Sequence, residues 1–491
     1  MCSFAASKKQ VRMCTIIGRK AEIAELTRRY ESGRAEFIAV YGRRRVGKTF
    51  LINEVLRDGM VFRHTGLSPF DRKRKVSLKD QLQNFHYALI RHGMEGVEQP
   101  KSWMQAFFLL EQLLEKLDNG TRQVVFIDEL PWMDTPRSGF ITALEAFWNG
   151  WGCTRHNLCF VVCGSATSWM LDNLINNKGG LYGRLTCEMK LSPFTLIECE
   201  QFFKSRKIDL SRYNIIQAYM ILGGIPFYLD FFNPAFSLAQ NIDMLFFNSK
   251  AKLGDEFERL FTSIFDNAPD CMKIIRFLYK RHAGFTRDEI AHHTGLNANG
   301  EFTKILKALI ASDFITMYEP WGLTRKVTYY KLSDNFCWFW LHFKDERGIK
   351  EDNYWLHHMK ESEIASWRGI AFEEVCMQHI HQIKMALQIA GVSSKESSLI
   401  VHGDDDTEGM QIDLLIDRAD DVVNVCEMKY SKSNYLITKS YAEKLRKRMS
   451  ALEQACPDKK FHLTFISVNP FEHNAYSDVI TSTVTADDLF K

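Results

Sequence analysis

No apolar run in this chain approaches the ~18 residues that cross a bilayer as a helix, which argues against a membrane-spanning protein. The opening Met1-Cys-Ser-Phe-Ala-Ala-Ser-Lys-Lys lacks the apolar core of a secretory signal. The twelve cysteines form no C-x-x-C pair. Several of them, including Cys159, Cys163 and Cys426, sit in apolar stretches where a reduced thiol packs as a small hydrophobe. A zinc ribbon and a disulfide framework are thereby excluded, and a cytoplasmic location is the expectation. An excess of one charge is lacking too. A net charge of +3 over 491 residues does not by itself announce a nucleic-acid binder, so any such reading must rest on local patches. Apolar material is not in short supply. Hydrophobic residues at 46% and charged residues at 25% describe an ordinary globular composition. The chain is too long for one core, so two to four domains are expected.

The most informative stretch is Glu36-Phe-Ile-Ala-Val-Tyr-Gly-Arg-Arg-Arg-Val-Gly-Lys-Thr-Phe-Leu-Ile, an apolar strand running through a Gly-bounded loop into a helix. From Gly42 to Thr49 it matches G-x-x-x-x-G-K-[ST], with the required strand before and helix after. Gly42 and Gly47 let the backbone turn tightly, so that the N–H groups of Arg43, Arg44, Arg45, Val46 and on to Phe50 line a phosphate cradle. Lys48 reaches the β and γ phosphates of ATP, and the Thr49 hydroxyl ligates Mg2+. Ahead of the loop, Ile23, Leu26 and Tyr30 share a helical face, which either walls the adenine or simply packs.

Downstream, Val61-Phe-Arg-His-Thr reads as a strand, and amphipathic helices follow near 77–92 and 101–117. Gln123-Val-Val-Phe-Ile-Asp-Glu-Leu-Pro then has the form of a buried parallel strand whose carboxyl end opens on a site. Asp128 is expected to hold magnesium through water, and Glu129 to orient and polarise the attacking water. The strand Leu158-Cys-Phe-Val-Val-Cys-Gly-Ser-Ala places Ser165 at its end, either to sense the γ phosphate or to cap a helix. Arg184, in Leu181-Tyr-Gly-Arg-Leu before a fifth strand at 186–191, either stabilises transition-state charge, in its own subunit or a neighbour's, or is a solvated arginine.

In the second half the pattern changes. Residues 195–250 are helical and rich in Phe, as in a packed core. Helices at 271–279, 286–293 and 301–310, with Gly295 marking the turn, precede a ribbon from Ile315 to Leu332, the order of a winged helix-turn-helix. Lys304, Lys307, Arg325 and Lys326 offer phosphate contacts, while the modest charge leaves protein docking or interdomain packing equally open. His292 and His293 read as surface residues. Trp338-Phe-Trp-Leu-His-Phe reads as a linking helix with a solvated exit. Beyond it, a helix from Trp367 carries Glu373, the strand Met410-Gln-Ile-Asp-Leu-Leu-Ile-Asp carries Asp413, and Val422-Val-Asn-Val-Cys-Glu-Met-Lys-Tyr carries Glu427 and Lys429 on one face. Charges set into apolar strands are costly without a purpose, so these are expected to share a site. Asp404-Asp-Asp, flanked by Gly403 and Gly409, reads as a solvated turn. Lys444, Arg446, Lys447 and Arg448 decorate a final helix, either as a phosphate-backbone contact or as a solvated face.

Together Ile17-Gly-Arg, the phosphate loop, Phe126-Ile-Asp-Glu-Leu-Pro-Trp, Cys163-Gly-Ser, Leu181-Tyr-Gly-Arg, Ser192-Pro-Phe and Gly223-Gly-Ile-Pro resemble the archaeal-type ATPase family, which belongs with the AAA-like and signalling (STAND) P-loop ATPases. The resemblance extends over nearly the whole chain. It implies an α/β architecture: a parallel P-loop NTPase sheet with the P-loop strand central, a helical lid, a winged helix-turn-helix and a C-terminal α/β domain of restriction-endonuclease-like fold. The expected boundaries are a disordered tail at 1–12, the ATPase at 13–192, the lid at 193–254, the winged helix at 255–345 and the nuclease-like domain at 346–491. In a PD-(D/E)xK centre Asp413 and Glu427 ligate a metal ion, Glu373 joins them from the preceding helix, and Glu427 and Lys429 serve the chemistry. The expected function is an Mg2+-dependent ATPase coupled to a DNA-acting half, of defence or mobile-element type. The other reading is a nucleotide-gated switch or scaffold whose nuclease-like fold is inactive. ATP and DNA are the expected partners, a membrane is not, and a homo-oligomer is left open.

Overall fold

The computed structural model describes residues 16–69, 74–322, 327–401 and 410–491. The tail at 1–12, the Asp404-Asp-Asp turn, Arg325 and Lys326 lie outside these residues. The chain divides into two compact units, the first formed by the segment up to Pro193 with Ser263–Asp266, the second by Phe194–Thr262 and Asn267–Lys491.

The first unit is built on five parallel strands, β1 (Glu36–Tyr41), β2 (Met60–Thr65), β3 (Gln123–Asp128), β4 (Leu158–Gly164) and β5 (Cys187–Lys190), in the order β2-β3-β4-β1-β5. The P-loop strand is therefore not central, as expected, but second from the edge, because only the short β5 pairs on its far side. Every residue of β3 and β4 is buried, which is why both read as unbroken apolar runs instead of alternating. Parallel pairing demands crossovers, and the helices Lys48–Val55, Leu78–Arg91, Trp103–Lys116 and Phe140–Gly150 lie in them. Their inner faces meet the sheet in a core that includes Phe37, Phe62, Phe85, Trp103, Phe107 and Phe160. Each such side chain contributes about 1.5–3 kcal/mol through burial. Since all strands point one way, the segments that follow β1, β3 and β4 leave from one edge of the sheet.

The second unit joins three regions expected to be separate. The helices Leu196–Ser205, Arg212–Leu222 and Leu238–Phe246, expected as a lid, pack with all that follows them. The reason lies in the Arg212–Leu222 helix, buried at every position from Ile215 to Leu222 and packed against the helices Asn335–Trp340 and Ser362–Gln378. The expected linker is likewise core, with every residue of Asn335–Trp340 buried. Helices Ala268–Leu278, Arg287–Thr294 and Gly300–Ala311 accompany a small antiparallel sheet of β6 (Phe285–Thr286), β7 (Ile315–Tyr318) and β8 (Tyr329–Leu332). Thr286 and Glu289 form a reciprocal cap that starts the middle helix, and Gly295, at φ 69°, ends it.

The C-terminal sheet has the order β15-β13-β11-β10-β9, formed by β9 (Ser394–Val401), β10 (Met410–Arg418), β11 (Val422–Lys429), β13 (Lys460–Ser467) and β15 (Ser482–Thr485). The strands β12 (Tyr435–Leu436) and β14 (Phe471–Glu472) pair apart from it. β11 pairs antiparallel with β10 and parallel with β13. Between Ile412 and Leu415 the β9–β10 register slips, which marks a bulge at Asp413 and Leu414.

Candidate active sites

In the first unit, Gly42 (φ 134°) and Gly47 (φ 96°) adopt conformations that disfavour a Cβ, and a Cβ on Gly42 would lie 2.4 Å from the Leu191 carbonyl oxygen. Between them Arg45 also has a positive φ, 74°. Gly47 opens the Lys48–Val55 helix, so the loop empties into a helix N-terminus, where free N–H groups and the helix dipole favour an anion. Arg19 braces the loop from below, donating to the Val46 carbonyl at 3.4 Å and to the Ser192 carbonyl at 2.6 Å. Arg43 and Val46 are buried, Phe50 is exposed, and Arg44 donates to the Ser263 carbonyl at 3.1 Å. Gly42→Ala is expected to cost ~1–3 kcal/mol in backbone strain and to lower both the melting temperature and ATP affinity. A variant that melts and binds like the parent would show that the loop tolerates a Cβ.

Lys48 Nζ donates to the carbonyls of Gly42 (2.9 Å) and Arg43 (3.0 Å), which fixes its charge in the mouth of the loop. Burial pushes its pKa down. The Thr49 hydroxyl donates to Asp128 at 3.0 Å, so two oxygens of the kind magnesium prefers stand side by side at the helix N-terminus. Asp128 is held further by the Glu129 N–H at 3.0 Å and by the Cys163 thiol. Burial, then the nearby Asp128 charge, push the Cys163 thiol well up, so it remains a donor. Glu129 has φ 47°, a strained setting for a side-chain-bearing residue and one that recurs at functional sites. Its carboxylate accepts from the Ser165 N–H at 3.1 Å and from the Ser165 hydroxyl at 2.9 Å. Ser165 caps no helix, since the short helix Thr167–Met170 has Ala166 at its N-cap and no side-chain cap. Arg184 is exposed on a turn.

A second cluster forms in the second unit. Glu373, from the Ser362–Gln378 helix, and Asp413, at the β10 bulge, are joined by His282, from the turn before β6. One ligand atom from each lies within 4.8 Å of the others. The β10–β11 register, which pairs Leu414 with Cys426, carries Asp413 opposite Glu427. Burial and the neighbouring Asp413 push the Glu373 pKa up to about 8, the behaviour of a carboxyl group crowded by others, which a bound cation would relieve. Burial holds His282 neutral, pushing it down to about 3.

Glu427 lies close enough to repel Glu373, yet falls outside that three-residue group. Its carboxylate is held by Lys429 (2.7 Å), Arg448 (2.7 Å) and the Tyr441 hydroxyl. Burial alone would raise its pKa, but Lys429, Tyr441 and Arg448 hold it below the usual carboxylate value. The basic helix, Lys439–Ala455, is thus not uniformly a surface. Arg448 turns inward to Glu427, Arg446 pairs with Asp478, and Lys444 and Lys447 remain exposed. His282 and Tyr441 are functional candidates that the sequence did not reveal, and Arg448, expected as a phosphate contact or a solvated face, is instead a partner of Glu427. Lone residues far along the chain from their partners leave no local signal. Beside the cluster, Glu374 pairs with Lys331 of β8 at 3.3 Å, a buried pair that ties the small sheet to the helix carrying Glu373.

Residues 16–232 match the family described as an ATPase domain predominantly from Archaea. An uncharacterized protein of Methanocaldococcus jannaschii, MJECL04, is 23% identical over 374 residues, which span 75% of this chain and 77% of the relative. Among solved structures, the Walker-type ATPase PABY2304 of Pyrococcus abyssi is similar with a TM-score of 0.44 and 17% identity, over 67% of this chain and 96% of that one. ORC2 of Aeropyrum pernix, solved as ADPNP-ADP complexes, has a TM-score of 0.40 and 13% identity, over 64% of this chain and 89% of its own. The matched residues, 16–232, take in the whole five-stranded sheet with the Gly42–Thr49 loop, Asp128, Glu129 and Ser165. No helix among the described residues is long and apolar enough to cross a membrane.

Proposed function

We propose that this chain, whose first half is an archaeal-type ATPase domain, hydrolyses ATP at the Gly42–Thr49 loop and uses nucleotide state to govern a DNA-cleaving centre in its second half. The convergence of Lys48, Thr49, Asp128 and Glu129 at one edge of the first sheet carries the first part. Lys48 and the loop N–H groups bind the β and γ phosphates. Glu129 orients and deprotonates the attacking water, and Ser165, bonded to Glu129, registers whether the γ phosphate is in place. Thr49 and Asp128 suit a magnesium ion, which would neutralise phosphate charge. Arg184, exposed, is the candidate to meet that charge from outside the loop.

The second part rests on Glu373, Asp413, Glu427 and Lys429 gathering where β10 and β11 pair, the donor set of a PD-(D/E)xK centre on a restriction-endonuclease-like sheet. The carboxylates suit a divalent cation, which would polarise the scissile phosphate. Lys429 positions the water or offsets phosphate charge, while Arg448 holds Glu427 in its rotamer. The helices from Ala268 to Ala311 with β6, β7 and β8 form a winged helix-turn-helix, a second surface for DNA. The exposed Lys444 and Lys447 would contact the phosphate backbone. Replacing both by Ala should flatten the plot of log K against log salt by about 0.9 per lost phosphate contact. An unchanged slope would make them ordinary surface.

The deciding experiment incubates purified protein with plasmid and linear DNA, with magnesium or manganese, with and without ATP. Metal-dependent scission supports the nuclease reading. ATP turnover without scission under any nucleotide state supports instead a nucleotide-gated switch, a reading favoured by the closed pairing of Glu427 with Lys429 and Arg448.

A further inference from the structure

We propose that His282 is a metal ligand, and that it makes the Glu373–Asp413 cluster a site for a manganese-like transition cation in preference to magnesium. The proposal deepens the reading of this cluster as a nuclease-like centre. It rests on that reading for what the cation does, but not for where the cation binds.

Three observations carry it. The first is placement: His282 arrives from the three-helix segment, Glu373 from the Ser362–Gln378 helix and Asp413 from β10, so three separate elements converge one donor each. The β10 bulge falls at Asp413, and bulges re-aim side chains where a site requires it. The second is spacing. Donors sharing one cation at ordinary bond lengths stand up to ~4.4 Å apart, so a cluster whose donor atoms lie within 4.8 Å of one another must close by only a few tenths of an ångström.

The third is that the imidazole is otherwise poorly provided for. Its Nδ1 lies 3.5 Å from Glu373 Oε2, too long for a good hydrogen bond. Its Nε2 is buried with no hydrogen-bond partner among the described residues. The ring packs edge-on against Trp338, with centroids 5.6 Å apart, which fixes its position without serving its polarity. Burying such a group is costly. The nitrogen that faces the acids is Nδ1, and at 3.5 Å from Glu373 it is left open to a cation between them.

Ligand chemistry then sets the metal. Magnesium takes oxygen donors and keeps its waters, so an imidazole adds little to its binding. Imidazole nitrogen suits first-row transition cations, and two carboxylates with one imidazole suit manganese and its successors in the series.

The test measures binding of Mn2+ alone to the nucleotide-free full chain, by the electron paramagnetic resonance signal of unbound Mn2+, with Mg2+ as competitor. The parent is expected to hold Mn2+ at a site that Asp413→Asn removes. Displacing it should need at least tenfold more Mg2+ than Mn2+. His282→Ala should weaken Mn2+ at least tenfold while changing Mg2+ affinity less than twofold. If His282→Ala loses its native circular dichroism, His282→Gln, which keeps a polar side chain of similar reach, takes its place with the same expectation. Mn2+ affinity within twofold of the parent in the folded variant would overturn the proposal, as would equal competition by Mg2+ in the parent. The nuclease reading fails separately, if the parent binds Mn2+ through His282 yet leaves DNA intact.

Discussion

Lys48→Ala is expected to lose ATP binding, and Glu129→Gln to bind ATP while failing to hydrolyse it. Glu129 is near enough to act on the Lys48 charge, but the roles proposed for the two residues differ. Lys48 is buried, and its ammonium is directed at the carbonyls of Gly42 and Arg43, so its charge is already placed where phosphate oxygens would sit. Hydrogen bonds to charged groups contribute ~1.5–3 kcal/mol each, so losing two should weaken ATP by about 100-fold or more. Glu129→Gln keeps the shape and can still meet Ser165, but cannot accept a proton from water. A positioned general base contributes about 10²–10⁴-fold, and turnover should fall within that range while binding of a fluorescent ATP analogue is retained. Undiminished hydrolysis by Glu129→Gln would remove Glu129 from the catalytic role.

The grouping of these residues was legible because it is local. The glycines, Lys48 and Thr49 fall within one octet, and Asp128 and Glu129 end one apolar strand, so strand, loop and helix could be read from adjacent residues. Contacts between elements were not legible. Nothing in Cys187–Lys190 indicates that it pairs beside β1 and displaces the P-loop strand from the middle of the sheet. The Arg212–Leu222 helix is buried on all sides, and so carries no polar stripe to show which neighbours it packs against. The same limit applied at the second cluster. Glu427 and Lys429, two apart on one strand, announced themselves, and Asp413 followed from its apolar setting. His282 is a single histidine in a turn, and only the fold brings it to Glu373. Arg448 was indistinguishable in sequence from Lys444 and Lys447, because which face of that helix meets β11 depends on packing.

The largest effect in the second unit is expected from Asp413→Asn and Lys429→Ala, both of which should abolish metal-dependent DNA scission. Asp413 stands at the bulge and, in the proposed centre, would share the cation with Glu373, so neutralising it would remove a negative ligand from a cluster of three donors. Removing one preorganised electrostatic group from a catalytic site costs about 10²–10³-fold, and a ligand that also fixes the cation should cost no less. Lys429 acts differently. It sits 2.7 Å from Glu427 on the same strand face and is not among the three clustered donors, so its loss should leave metal binding largely intact while removing the charge proposed to meet the scissile phosphate. The two variants should therefore separate in a binding assay while failing alike in a cleavage assay. Since β10 and β11 lie within the sheet, both variants must first be shown to melt like the parent. Scission that survives in both folded variants would place the activity elsewhere. Scission absent from the parent in every nucleotide state would leave Glu427 as it stands in the structure, neutralised by Lys429 and Arg448, and the second unit as the binding arm of an ATP-driven switch.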